Sequence, residues 1–163
     1  MNYYELFEFP VAPVVDRSSV SRKYFALQKN AHPDFFTQAS ESEKEDVLKL
    51  SADINKAFGI FSDPQKTIEY FLQVKGLIEA DEKYNLPPDF LMEMMELNES
   101  MMEEGEEATI AKVEAYESQL LEEIAPLLNS YDAQETPADA LMKLKAYYYK
   151  KKYLNRILDR LSD

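Results

Sequence analysis

No cysteine occurs in the 163 residues of this chain, which excludes disulfides and thiolate-held zinc, haem or iron-sulfur groups. Any such cofactor would have to be held by a partner. Only three glycines are present, and no run alternates apolar with polar residues, which leaves little from which to build hairpins and sheets. The lone histidine argues against a carboxylate-bridged oxidase, whose helices usually supply two Glu-x-x-His pairs. It also leaves no second imidazole to act as base in acyl or phosphoryl transfer, and no glycine-rich phosphate loop accompanies it. Charges interrupt every apolar segment well short of the roughly 20 residues a membrane span requires. Met1 to Phe9 contains Glu5 and Glu8 rather than a basic stretch followed by an apolar run, unlike a secretory signal. These absences predict a soluble, cytoplasmic chain that is not an enzyme, carries no cofactor and holds no metal.

What the chain does contain favours helices. Glu, Lys, Leu, Met and Ala abound, and these residues lose little freedom in a helix. With 45% hydrophobic residues a packed core is possible, and the length accommodates one medium domain or two small ones. An all-α fold is expected. The formal net charge of −13 is unevenly spread: residues 81–125 carry 14 acids against 2 bases, while residues 126–163 carry 5 against 7. Such an acidic block repels phosphates, so nucleic acid is not expected as a partner, and the lack of a membrane-length apolar run removes the membrane as one.

In the first third, Asp16 stands as an N-cap, and Val20, Tyr24, Leu27 and Ala31 follow on one helical face. The other faces carry Arg17, Arg22, Lys23 and Lys29, with no acid between Arg17 and Ala31. Taken alone, such basic residues read as a solvated helix surface. Pro33 ends this helix near Asn30 or Ala31, because it disfavours helical geometry at His32 and lacks a backbone donor. His32-Pro33-Asp34 then forms a rigid polar turn. A second helix from about Ser42 has Val47, Leu50, Ile54, Phe58 and Phe61 as its buried stripe. Ser62 or Asp63 caps a third, with Pro64 in its first turn, Gly76 at its end, and Ile68, Phe71 and Leu72 as apolar contacts.

A basic helix, then His-Pro-Asp, then a helix ending Ile54-Asn55-Lys56-Ala57-Phe58 before Ser62-Asp63-Pro64, all preceded by Tyr3-Tyr4-Glu5-Leu6-Phe7, resembles a J-domain over residues 1–76. The resemblance implies a helical hairpin and a co-chaperone role. His32, Pro33 and Asp34, with Arg22, Lys23 and Lys29, would dock on a DnaK-class ATPase chaperone and couple client delivery to ATP hydrolysis. A basic face steers encounter with an acidic partner, and a short stiff loop presents an imidazole and a carboxylate at little ordering cost. Phe35 departs from the pattern, standing where many J-domains place a basic residue, which bears on affinity or on the choice of partner.

From Ala80 to Pro88 the chain turns polar, so residues 77–87 read as a linker to a domain over residues 88–163. Three helices are expected there, about Pro88–Glu104, Glu107–Ser130 and Pro137–Leu161. Breaks fall near Gly105 and around Asp132–Thr136, with Thr136 capping the last helix and Pro126 kinking the middle one or changing its geometry. Short connections favour an antiparallel three-helix bundle. In the first of these helices, Phe90, Met94, Leu97 and Met101 form one apolar stripe, while Leu91, Met92, Met95 and Met102 lie on another side beside Glu96 and Glu99. A flexible methionine-rich surface with an acidic rim suits an apolar and basic partner. It suits equally well packing against the N-terminal part or against a second copy of the chain. The run Lys150-Lys151-Lys152 reads as surface ion pairs or a solvated face.

Ile68-Glu69-Tyr70-Phe71-Leu72, Gly76, Phe90-Leu91-Met92-Glu93 and Glu96-Leu97 together resemble the HscB co-chaperones of iron-sulfur cluster biogenesis, over nearly the whole chain and more weakly after Glu104. That resemblance implies that the acidic helical domain binds the cluster scaffold IscU and presents it to the DnaK-class chaperone HscA. The scaffold surface it implies comprises Leu91, Met92, Met95, Glu96, Glu99 and Glu103, plus an aromatic residue within Tyr147-Tyr148-Tyr149, by preference Tyr148. The lack of cysteine departs from family members that carry an N-terminal zinc module. Two other readings stand beside this one: a J-domain co-chaperone for a different client, and an acidic helical metal-binding protein.

Overall fold

Four short polar side chains start the helices of the N-terminal part by accepting their free backbone amides. Asn2 accepts the Glu5 amide at 2.9 Å for α1, Tyr3–Phe7. Asp16 accepts the Ser19 amide at 3.1 Å for α2, Arg17–Ala31. Ser40 accepts the Glu43 amide at 3.2 Å for α3, Glu41–Phe61, and Asp63 accepts from Gln65 and Lys66 for α4, Pro64–Val74. Each such cap contributes about 1 kcal/mol. Hydrogen bonds from Ser18 and Ser19 also hold the Asp16 carboxyl below its usual 3.8.

The structure, a computed structural model, describes residues 1–161, and of Pro33 the backbone alone. Among the described residues there are seven α-helices, one turn of 3-10 helix at Pro33–Phe36 and no strand. The chain divides into two compact units, Met1–Gly76 and Leu77–Asp163.

In the first unit α2 and α3 form an antiparallel hairpin. Tyr24 stacks on Phe58 at 4.2 Å and donates to Asn55, while Gln28, one turn further along α2, bonds Asn55 and Ser51. Rising numbers on one helix thus meet falling numbers on the other. α1 and α4 close the end of the hairpin remote from the His32 loop: Tyr4, Phe7 and Tyr70 surround the Phe61 ring at 5.1, 5.5 and 6.2 Å. The buried Tyr4 donates its hydroxyl to the Ala12 carbonyl at 2.7 Å, so that hydroxyl is not stranded. The buried face of α3 is Ile54, Ala57 and Phe61. Leu50, expected in that stripe, is 39% exposed. It lies on the same side of α3, but the α1 and α4 rings gather at the Phe61 end, two to three turns away, and leave it uncovered.

The second unit is an antiparallel three-helix bundle of α5, Pro88–Glu104, α6, Glu106–Ser130, and α7, Ala138–Leu161. Phe90, Met94 and Leu97 of α5 are buried, as are Val113, Leu120 and Ile124 of α6 and Leu144, Leu154 and Ile157 of α7. Met101, expected to continue the α5 stripe, is 37% exposed. Buried Ser100 takes the inward place, donating to Glu104 and accepting from Lys112, both at 3.0 Å. Burial first, then the Glu93 carboxylate, pushes the Tyr116 phenol up to about 12 where α6 packs on α5. Pro126 does not interrupt α6, whose remaining turn is short and receives the Ser130 hydroxyl on the Pro126 carbonyl. Thr136, expected to cap α7, instead accepts the Asp132 amide on its hydroxyl at 2.9 Å and braces the loop, and α7 begins at Ala138, after Pro137.

Residues 77–87, read above as a linker, are packed within this second unit. Ile78 is buried, Tyr84 stacks flat on Tyr149 with ring centres 4.3 Å apart, and Glu82 pairs with Lys145 at 3.0 Å. The segment therefore lies against α7, with a turn at Glu79–Glu82 that places Asp81 in the left-handed region. The lysine run resolves into separate contacts: Lys151 pairs with Glu117, Lys150 lies 5.6 Å from the Phe90 ring and Lys152 lies 5.9 Å from the Tyr148 ring.

Candidate functional site

The end of α2 is built to expose a corner. Extended backbone at His32 (φ −70°, ψ 130°) breaks the helix before Pro33, and the His32 carbonyl accepts the Phe35 amide at 3.0 Å to start the 3-10 turn. His32 Nδ1 accepts the Asp34 amide at 3.2 Å. With that nitrogen serving as acceptor, the neutral ring carries its proton on Nε2, which is left free to donate outward. The Asp34 carboxylate sits 3.6 Å from Nδ1 with its side chain 86% exposed. The loop thus presents an outward donor on a ring held by the Asp34 amide, and beside it an exposed carboxylate.

Sequence spacing divides the basic residues of α2 in a way the structure makes plain. Arg22 and Lys29, seven residues apart, share the exposed side that leads to His32. Lys23 points elsewhere and pairs with Glu8 at 3.0 Å, so its charge is partly spent inside the unit. Between Arg22 and Lys29 stands Phe25, 70% exposed. Reading α2 for its buried stripe passed over this residue, and the signal that finds it is an aromatic on the polar side of an amphipathic helix. Phe35 is also open to solvent, its ring set edge-on to His32 at 5.9 Å. The Pro33 side chain lies outside what is described.

A second candidate surface lies on α5. Two rows at i, i+4, i+7 and i+11 run side by side: Leu91, Met95, Asn98 and Met102 in one, Met92, Glu96, Glu99 and Glu103 in the other, every one exposed. Met92, Met95 and Met102 are 65%, 63% and 90% exposed. Next to it, the Lys112 ammonium, by hydrogen bond first and by charge, holds the Glu104 carboxyl below its usual 4.5 at 2.7 Å. Tyr148, preferred above for this surface, is instead a core residue at 4% exposure. The correction follows from register: with Leu144 and Leu154 facing inward, residues 147 and 148 straddle the same seam, and both are buried. Of the three tyrosines, Tyr149 is the half-exposed one, and its hydroxyl reaches Glu82 at 3.2 Å.

Among the described residues no cluster of three or more histidine or acidic side chains is arranged to hold a metal ion. No helix among them is long and apolar enough to cross a membrane.

Comparison with known proteins adds three findings. A family model described as the HSCB C-terminal oligomerisation domain matches residues 86–162. The co-chaperone protein HscB homolog of Vibrio cholerae is 34% identical over 170 residues, 99% of each chain, and that of Shewanella halifaxensis is 34% identical over 174 residues, the whole of each. Among solved structures, the chaperone HscB from Vibrio cholerae superposes with a TM-score of 0.62 at 34% identity over 99% of both chains. The human co-chaperone protein HscB superposes with a TM-score of 0.79 at 26% identity, over 99% of this chain and 81% of that one.

Proposed function

We propose, from the premise that this chain belongs to the HscB family of J-domain co-chaperones, that it stimulates the ATPase of a DnaK/HscA-type chaperone and delivers to it an IscU-type iron-sulfur scaffold. Residues 1–76 act as the J-domain and α5 of the second unit carries the scaffold. The observation that supports this reading best is the turn at the end of α2 that leaves His32 and Asp34 exposed, on a helix whose solvent side carries Arg22 and Lys29.

The physical account needs no bond-breaking by this chain. Arg22 and Lys29 raise the rate of encounter with an acidic surface. The Nε2 donor of His32 and the Asp34 carboxylate then bind in an arrangement already made in the free protein, so little ordering entropy is lost. On α5, the apolar row of Leu91 and Met95 and the acidic row of Glu96, Glu99 and Glu103 together fit a partner surface with an apolar patch beside basic residues.

His32→Gln tests the reading. The side chain is half-exposed, so helix content stays at the wild-type level, whereas stimulation of the chaperone's ATPase is lost. Undiminished stimulation by this variant would remove the mechanism.

A further inference from the structure

We propose that Phe25 is an apolar anchor at the centre of the chaperone-docking face of α2, so that the partner surface is an apolar recess rimmed by carboxylates rather than a purely acidic patch. This rests on the docking reading given above and deepens it. The residues Arg22, Phe25, Ala26 and Lys29 fall at i, i+3, i+4 and i+7, and all four are exposed. His32, seven residues after Phe25, continues the same line as the helix ends. At 1.5 Å per residue the strip from Arg22 to His32 is about 15 Å long.

Phe25 does not serve its own unit. It is 70% exposed and its ring lies edge-on to the adjacent Tyr24 at 5.6 Å, whereas Tyr24 itself turns inward onto Phe58 at 4.2 Å. A phenylalanine in water flanked by two cations suits a partner site in which burial of the ring and pairing of the charges happen together. Large aromatics inside a polar rim are the usual carriers of binding energy in protein interfaces. Lys23 is excluded from the strip by its direction and its bond to Glu8. Phe35 extends the apolar character at the far end, beside His32.

The test is a titration of ATPase stimulation, with the full-length chain and the DnaK-class chaperone of the same cell. Phe25→Ala raises the half-saturating concentration about tenfold, the size expected of a central interface aromatic, and Phe25→Leu stays close to wild type. Both keep the wild-type thermal midpoint, since neither opens the core. An unchanged half-saturating concentration for Phe25→Ala, alongside an inactive His32→Gln, overturns the anchor and leaves the docking reading standing. A lowered thermal midpoint for Phe25→Ala also overturns it, by showing that the ring serves the fold. No stimulation by the wild-type chain overturns the docking reading itself.

Discussion

Glu82 illustrates how single side chains make an acidic protein stable. The hydrogen bond and charge of Lys145 hold its carboxyl below the usual 4.5, and the Tyr149 hydroxyl assists. A carboxylate depressed in the folded state contributes stability above its unfolded pKa and loses it as pH falls through the folded value. Glu82→Gln is therefore expected to lower the urea midpoint at neutral pH. Its deficit relative to wild type should shrink as pH falls below 4.5, and a deficit that is constant with pH would show that the pair does not stabilise. His32 is held by different means: its Nδ1 accepts the Asp34 amide and its carbonyl the Phe35 amide, so its orientation depends on local geometry rather than on burial.

Two of the three glycines separate clearly once seen as parts of helices. Gly105 joins α5 to α6 with φ 92° and ψ 179°, a conformation almost reserved for glycine, and a one-residue connection between antiparallel helices demands it. Gly59 lies inside α3, and a methyl group at either position would meet nothing within 4 Å. Space is thus equal and backbone alone decides. Gly105→Ala should destabilise the second unit by about 1–3 kcal/mol, and Gly59→Ala should stabilise the first by about 0.5–1 kcal/mol. Denaturant midpoints of the two variants check this, and equal shifts of the same sign would contradict it. α5 shows the other property of a helix, two apolar sides at once: Phe90, Met94 and Leu97 are sealed in the bundle, while Leu91, Met92 and Met95 remain in water.

At the scale of the molecule, each unit has its own core, and each candidate surface belongs to one of them. That separation predicts separable functions. If α5 carries the proposed iron-sulfur scaffold, replacing Leu91, Met92 and Met95 together by Ala, at about 1 kcal/mol each, should weaken its binding on the order of 100-fold. Stimulation of the chaperone by the N-terminal unit in the absence of scaffold should not change. A calorimetric titration showing equal scaffold affinity would place the client elsewhere.

Local rules of spacing and capping sufficed for the all-α class, for helix limits within one or two residues, and for the His32-Pro33-Asp34 corner between two helices. They sufficed because Pro, Gly and N-cap side chains act on their immediate neighbours. What only the tertiary structure decided is which parts of each helix are covered. Leu50 and Met101 obey the right period yet stay open where neighbouring elements leave them uncovered. Tyr148 turns inward, and residues 77–87 pack on α7 through Tyr84 and Glu82. Spacing alone puts Phe25 on the polar side of α2, and the tertiary structure adds that no other element covers the ring there. Burial is a property of pairs of elements distant in sequence, and no rule confined to one helix contains it.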